Sequence, residues 1–99
     1  MLIINKTIEN GKAVIAPEGR LDTMTAPEME SAVKEIVPEI THLTFDLEKL
    51  DYISSAGLRV LLFAQKAMQA KGGMKVRGAN ETVSEIFEVT GFSDILDFE

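Results

Sequence analysis

Leu2, Ile4 and Ile8 alternate with polar residues at the start of the chain, and Glu9-Asn10-Gly11-Lys12 separates them from a second apolar run, Ala13-Val14-Ile15-Ala16. A period of two is the spacing of a strand with one buried face, and Asn-Gly tolerates the positive φ angles of a tight hairpin. Two antiparallel strands are therefore predicted first. At 25-TAPE-28 the spacing changes. Thr25 is placed to cap a helix, Pro27 fits its first turn, and Glu28 holds the capping-box position. Met29, Val33 and Ile36 then recur at helical spacing until Pro38 ends the run.

Residues 43-LTFDL-47 return to alternation and predict a strand, with 48-EKLDYI-53 as the loop that follows. From Ala56 to about Lys71, Leu58, Leu61, Leu62 and Met68 form the core-facing stripe of a second helix, with Arg59, Lys66 and Gln69 on the wetter face. Gly72-Gly73 stops it. Met74–Arg77 predicts a short strand, and Asn80 can cap a last helix carrying Val83, Ile86 and Phe87 that ends before Gly91. The remainder, from Phe92 to Glu99, adds a turn and a little strand. The order β-β-α-β-α-β-α is that of an α/β fold in one domain, residues 1–99. It combines a mixed sheet, an N-terminal hairpin, βαβ crossovers and three to four helices. The strands flanking each of the two middle helices are expected to be parallel.

Ten basic against sixteen acidic residues give a net charge of −6, which argues against nucleic acid and against direct membrane binding. There is no cysteine, and Asn5 and Lys6 interrupt the apolar Met1-Leu-Ile-Ile start, so a soluble cytoplasmic protein is expected. One histidine, His42, and scattered carboxylates offer no metal-ligand spacing, and neither metal nor cofactor is expected.

Parallel strands would bring the loops 19-GRLDTMT-25 and 48-EKLDYISS-55 to the same sheet edge, where open α/β sheets meet ligands and partners. Asp22 then neighbours Ser54 and Ser55. From the residues alone both serines read as helix caps. A hydroxyl at that place is also one whose phosphorylation the helix N-terminus tolerates. Serine hydrolysis is disfavoured because Tyr52 and Ile53 stand where a nucleophile elbow needs glycine, and because His42 is the only candidate imidazole base. Gly72-Gly73 lacks the Lys-Ser or Lys-Thr of a phosphate-cradling loop, and Met24 and Met29 read as packing residues.

The stretch 46-DLEKLDYISSAGLRVLL-62 resembles the signature of the anti-sigma factor antagonist family, whose fold is the STAS domain. The resemblance extends over 14-VIAPEGRLDTMTAPEME-30 and 88-EVTGFSDIL-96. It implies a non-enzymatic, phosphorylatable antagonist that binds an anti-sigma factor with serine kinase activity and so releases a sigma factor. A metal-dependent Ser/Thr phosphatase would reset it. The family's acceptor serine precedes a small residue and Gly-Leu, which in 54-SSAGL-58 is Ser55, with Ser54 as second choice where the family often has aspartate. The implied partner-binding residues are Asp22, Thr23, Ser54, Ser55, Ala56, Gly57 and Arg59. Asp22 is expected to be mostly solvated, so that its loss affects binding more than stability. A monomer is expected. The competing role is that of a STAS adaptor subunit of a lipid transport or other signalling complex, without kinase control.

Overall fold

A computed structural model describes residues 1–99. Strands β1 (Leu2–Glu9) and β2 (Lys12–Leu21) pair antiparallel from Leu2–Gly19 to Glu9–Lys12. Between them Asn10 and Gly11 take φ angles of 53° and 77°, the left-handed pair that matches the twist of a two-residue hairpin. Helix α1 (Ala26–Ile36) leads through a short 3-10 turn to β3 (His42–Asp46), which lies parallel to the first half of β2. Strand β4 (Leu50–Ile53) precedes helix α2 (Ser55–Gln69), and β5 (Met74–Arg77) then pairs parallel with β3. Helix α3 (Glu81–Thr90) completes the regular elements.

The five-stranded sheet has one branched position: β2 carries β3 along its first half and β4 along its second. This corrects two boundaries expected from the sequence. The second strand does not stop at Ala16 but runs to Leu21, and 50–53 is not loop but strand β4, parallel to it. Ten residues make β2 long enough to serve two short partners in succession. Pro17 is accommodated because β2 remains paired with β1 through its neighbours, Ala16 with Asn5 and Glu18 with Ile3.

One face of the sheet is covered. Ala13 and Ile15 of β2, Leu43 and Phe45 of β3, and Met74 and Val76 of β5 are buried, while the alternating Val14, Thr44, Lys75 and Arg77 are half-buried or exposed. Met29, Val33 and Ile36 of α1 and Leu58, Leu61 and Met68 of α2 join the same core. Leu62, expected in that stripe, is only half-buried, and Val60 and Ala64 take the inward positions. The Lys71 ammonium ties the two crossovers together, donating to the carbonyls of Val37 at 2.7 Å and Ile40 at 2.9 Å. Asn80 caps α3 by accepting from the Val83 amide at 2.8 Å, and Gly91 ends it with a φ of 82°. The chain end adds the expected turn (Phe92–Asp94) and a single parallel bridge between Val76 and Phe98. No helix is long and apolar enough to cross a membrane.

Candidate functional site

The C-terminal ends of β2 and β4 lie side by side, with Arg20 opposite Tyr52 and Leu21 opposite Ile53. The ladder continues one bond further, since the Ser54 amide donates to the Leu21 carbonyl at 2.8 Å. Asp22 and the two serines therefore leave the sheet together, as the parallel arrangement of the strands predicted. The neighbour of β2 at this level is β4 rather than β3.

Helix α2 starts where it does because Ser54 is extended (φ −97°, ψ 177°) and its side chain accepts from the Gly57 amide at 3.4 Å. That bond satisfies one of the free donors of the first turn. The two hydroxyls thus differ although their residues are adjacent. Ser54 is the cap and is half-buried, whereas Ser55 is the first helical residue, exposed, with no hydrogen-bond partner for its Oγ in the protein.

Gly57 sets how closely the helix approaches the sheet. A Cβ at this position would stand 2.7 Å from Cγ1 of Ile53 and 2.8 Å from Cγ of Leu21, the last residues of the two strands. Only a residue without a side chain lets α2 press onto the strand ends and carry Ser54 and Ser55 to the edge. Gly57 is buried and Ala56 half-buried, so their part in the site is to shape the backbone.

Across the edge, Asp22 and Thr25 bond reciprocally. The Asp22 carboxylate accepts from the amides of Met24 (3.0 Å) and Thr25 (3.1 Å), and the Thr25 hydroxyl accepts from the Asp22 amide at 2.9 Å. The same hydroxyl donates to the Arg20 carbonyl at 2.8 Å. The arrangement is that of a capping box displaced to the turn before α1, and it corrects two expectations. Thr25 does not cap α1 with its side chain, because the hydroxyl is buried and turned back toward β2. Asp22 is not simply solvated: its side chain is one-third exposed and holds the loop.

Desolvation works against the Asp22 charge, but the two amides, the Thr25 hydroxyl and the nearby Arg20 guanidinium outweigh it and lower its pKa. Arg20 in turn lies over the Tyr52 ring at 4.4 Å, a contact the sequence did not reveal while 48–53 was read as loop.

Thr23 and Met24 project from the turn that Asp22 holds. Met24 does not pack as expected but is 84% exposed, whereas Met29 lies in the core. Thr23, Pro27 and Glu30 on one side and Ala56 and Arg59 on the other line a shallow groove of about 220 Å³ between the starts of α1 and α2. Arg59 is exposed and enters none of the ion pairs of the structure.

No group of three or more His, Asp or Glu side chains is arranged to hold a metal ion. His42 stands at the start of β3 opposite Lys12, the first residue of β2, and is therefore at the opposite end of the sheet from the serines. Its Nδ1 lies 3.0 Å from the Thr41 hydroxyl.

Residues 4–99 match the STAS domain family. The chain is 32% identical over 83 residues to the anti-sigma-B factor antagonist of Listeria monocytogenes, a match covering 82% of this chain and 73% of that protein. Among solved structures, the fold is similar to an anti-sigma factor antagonist from Mycobacterium paratuberculosis, with a TM-score of 0.90 at 21% identity over 99% of this chain and 85% of that one. It is also similar to the antagonist SpoIIAA in its unphosphorylated form (TM-score 0.84, 17% identity, 98% and 88% coverage). The phosphorylated form of SpoIIAA, from Bacillus, gives a TM-score of 0.76 at 16% identity, with 98% and 91% coverage. With its residues 4–99 matching the family and a relative 32% identical over 82% of its length, the chain belongs to the STAS domain family and is related to its anti-sigma factor antagonists.

Proposed function

We propose that this chain is a phosphorylatable antagonist that docks through the edge formed by Asp22, Thr23, Ser54, Ser55, Ala56, Gly57 and Arg59 onto an anti-sigma factor with serine kinase activity. Ser55 is the acceptor. The observation that carries this reading is the division of labour between the serines: Ser54 caps α2, which leaves the Ser55 hydroxyl exposed and free of any bond to the protein. An acceptor must be reachable and free of local hydrogen bonding, and of the two serines at this edge Ser55 alone meets both conditions, since Ser54 is half-buried and engaged as the cap. The kinship with anti-sigma factor antagonists supports the class of partner.

In the modification step the Ser55 oxygen attacks the γ-phosphorus of ATP bound to the partner. A new O–P bond forms as the bond to the β,γ-bridging oxygen breaks, ADP leaves, and the hydroxyl proton passes to a base of the kinase. This chain is the substrate and supplies no catalytic group. Phosphorylation adds roughly −1.5 to −2 charges at the docking edge. A helix N-terminus favours an anion, so the fold is kept, while a surface packed flush on Ser55 is driven off. A loss of about 3 kcal/mol in binding weakens the complex on the order of a hundredfold. A metal-dependent Ser/Thr phosphatase returns the chain to its binding form, and the whole cycle is cytoplasmic.

The test is incubation with ATP and the candidate anti-sigma kinases of the same genome, followed by phosphopeptide mapping and by calorimetry of both forms against the same kinase. Phosphate on Ser55 together with weaker binding of the modified form supports the switch. Equal affinities overturn it. Absence of phosphate with every kinase favours an adaptor role without kinase control.

A further inference from the structure

Arg59 follows Ser55 by four residues in α2, so the two side chains lie on one face of the helix, one turn apart. Both are exposed, and both are without a partner: Ser54 has taken the capping bond, and none of the ion pairs involves Arg59. The other exposed cations around the site are engaged. Arg20 is stacked on Tyr52 and paired with Asp22 at 4.0 Å, and Lys34 is paired with Glu30 at 3.3 Å. Arg59 is thus the cation at this edge that is still uncommitted.

Resting on Ser55 as the modified residue, we propose that Arg59 is the internal counterion of the phosphorylated form. The phosphate dianion draws the guanidinium back along the helix, in the favourable i,i+4 order with the anion N-terminal to the cation, and the anion itself sits at the helix N-terminus, where the dipole favours it. The planar fork of arginine matches two phosphate oxygens at once. Arg59 also lines the groove between α1 and α2. One modification therefore changes two features of the docking edge: it replaces the hydroxyl by an anion, and it withdraws a positive charge from the groove that an acidic partner surface could use. Arg59 acts here as a positioning residue, not as an acceptor.

The experiment installs phosphoserine at position 55 during translation, so that its outcome does not depend on any kinase. The parent, Arg59→Gln and Arg59→Lys proteins are then compared by phosphorus NMR across pH. The second pKa of the phosphate is expected to lie about 0.3 pH unit lower in the parent than in Arg59→Gln, with Arg59→Lys restoring much of the difference. Asp22 and Glu30 on the facing elements oppose the second ionisation and Arg20 favours it, in all three proteins alike. Melting temperatures of the three unphosphorylated proteins are expected to agree, because Arg59 is exposed and enters no ion pair.

Equal second pKa values in the parent and Arg59→Gln would overturn the counterion assignment and leave the phosphate to water and the helix amides. Failure of every kinase to modify Ser55, with the NMR difference present, would instead count against the function proposed above and leave the Ser55–Arg59 pairing standing.

Discussion

The Ser54 amide donates to the Leu21 carbonyl at 2.8 Å, and this one bond joins two segments more than thirty residues apart in the chain. It extends the β2–β4 ladder past its last side-chain pair and brings the turn held by Asp22 beside the start of α2. The exposed Ser55 hydroxyl follows from that joint, because Ser54 is held extended and turned to cap.

The serines are expected to separate experimentally. Ser54→Ala should cost about 1 kcal/mol of stability through loss of the cap, while Ser55→Ala should stay within about 0.5 kcal/mol of the parent. Urea unfolding measures both. In the kinase assay the order should invert, with Ser55→Ala abolishing modification and Ser54→Ala retaining it.

Gly57→Ala should destabilise by roughly 1 to 3 kcal/mol, the range for forcing a methyl group into a packed site. Its Cβ collides with Ile53 and Leu21, so the helix has to lift away from the strand ends. Elsewhere in a helix the same change stabilises. A more stable Gly57→Ala protein would refute the close approach.

Asp22→Asn should lower stability slightly at neutral pH, since the amide oxygen can still accept from Met24 and Thr25, and should change how stability depends on pH. The folded-state pKa of Asp22 lies below its ordinary value, so its charge contributes fully above the ordinary carboxylate pKa of about 4 and is lost as pH falls through the lower folded value. The parent should therefore lose more stability than Asp22→Asn on acidification from neutral pH. Parallel pH profiles of the two proteins would remove Asp22 from that account.

Met24→Ala should leave stability within about 0.5 kcal/mol of the parent, since the side chain is 84% exposed. Binding to the anti-sigma kinase should weaken by several-fold to tenfold, because a flexible thioether on a held turn is well suited to an apolar pocket of a partner. Val89→Ala is the control: Val89 is 83% exposed, but on α3, and should bind as the parent does. Equal losses for the two variants would deny Met24 any special place.

Periodicity alone determined much of this protein. Leu43 and Phe45, two residues apart, and Met29, Val33 and Ile36, spaced by three and four, are recognisable because a strand or a helix must turn its apolar side to the core. Asn10-Gly11 and Gly73 are equally local, as they answer to φ angles, whereas Gly72 answers to distant neighbours, since a Cβ there would collide with Thr41 and His42. The register of 54-SSAGL-58 located the serines at the start of α2. Strand β4 was hidden because four residues are too few for alternation to stand out, and its pairing partner, the second half of β2, lies about thirty residues upstream. For the same reason the sequence did not show Arg20 over Tyr52. Which serine caps depended on the bond from Ser54 to Leu21, and whether Asp22 is solvated or bonded depended on the Thr25 hydroxyl turning inward. These choices arise where segments distant in sequence meet, and there competing hydrogen bonds are settled by tertiary packing, not by local propensity.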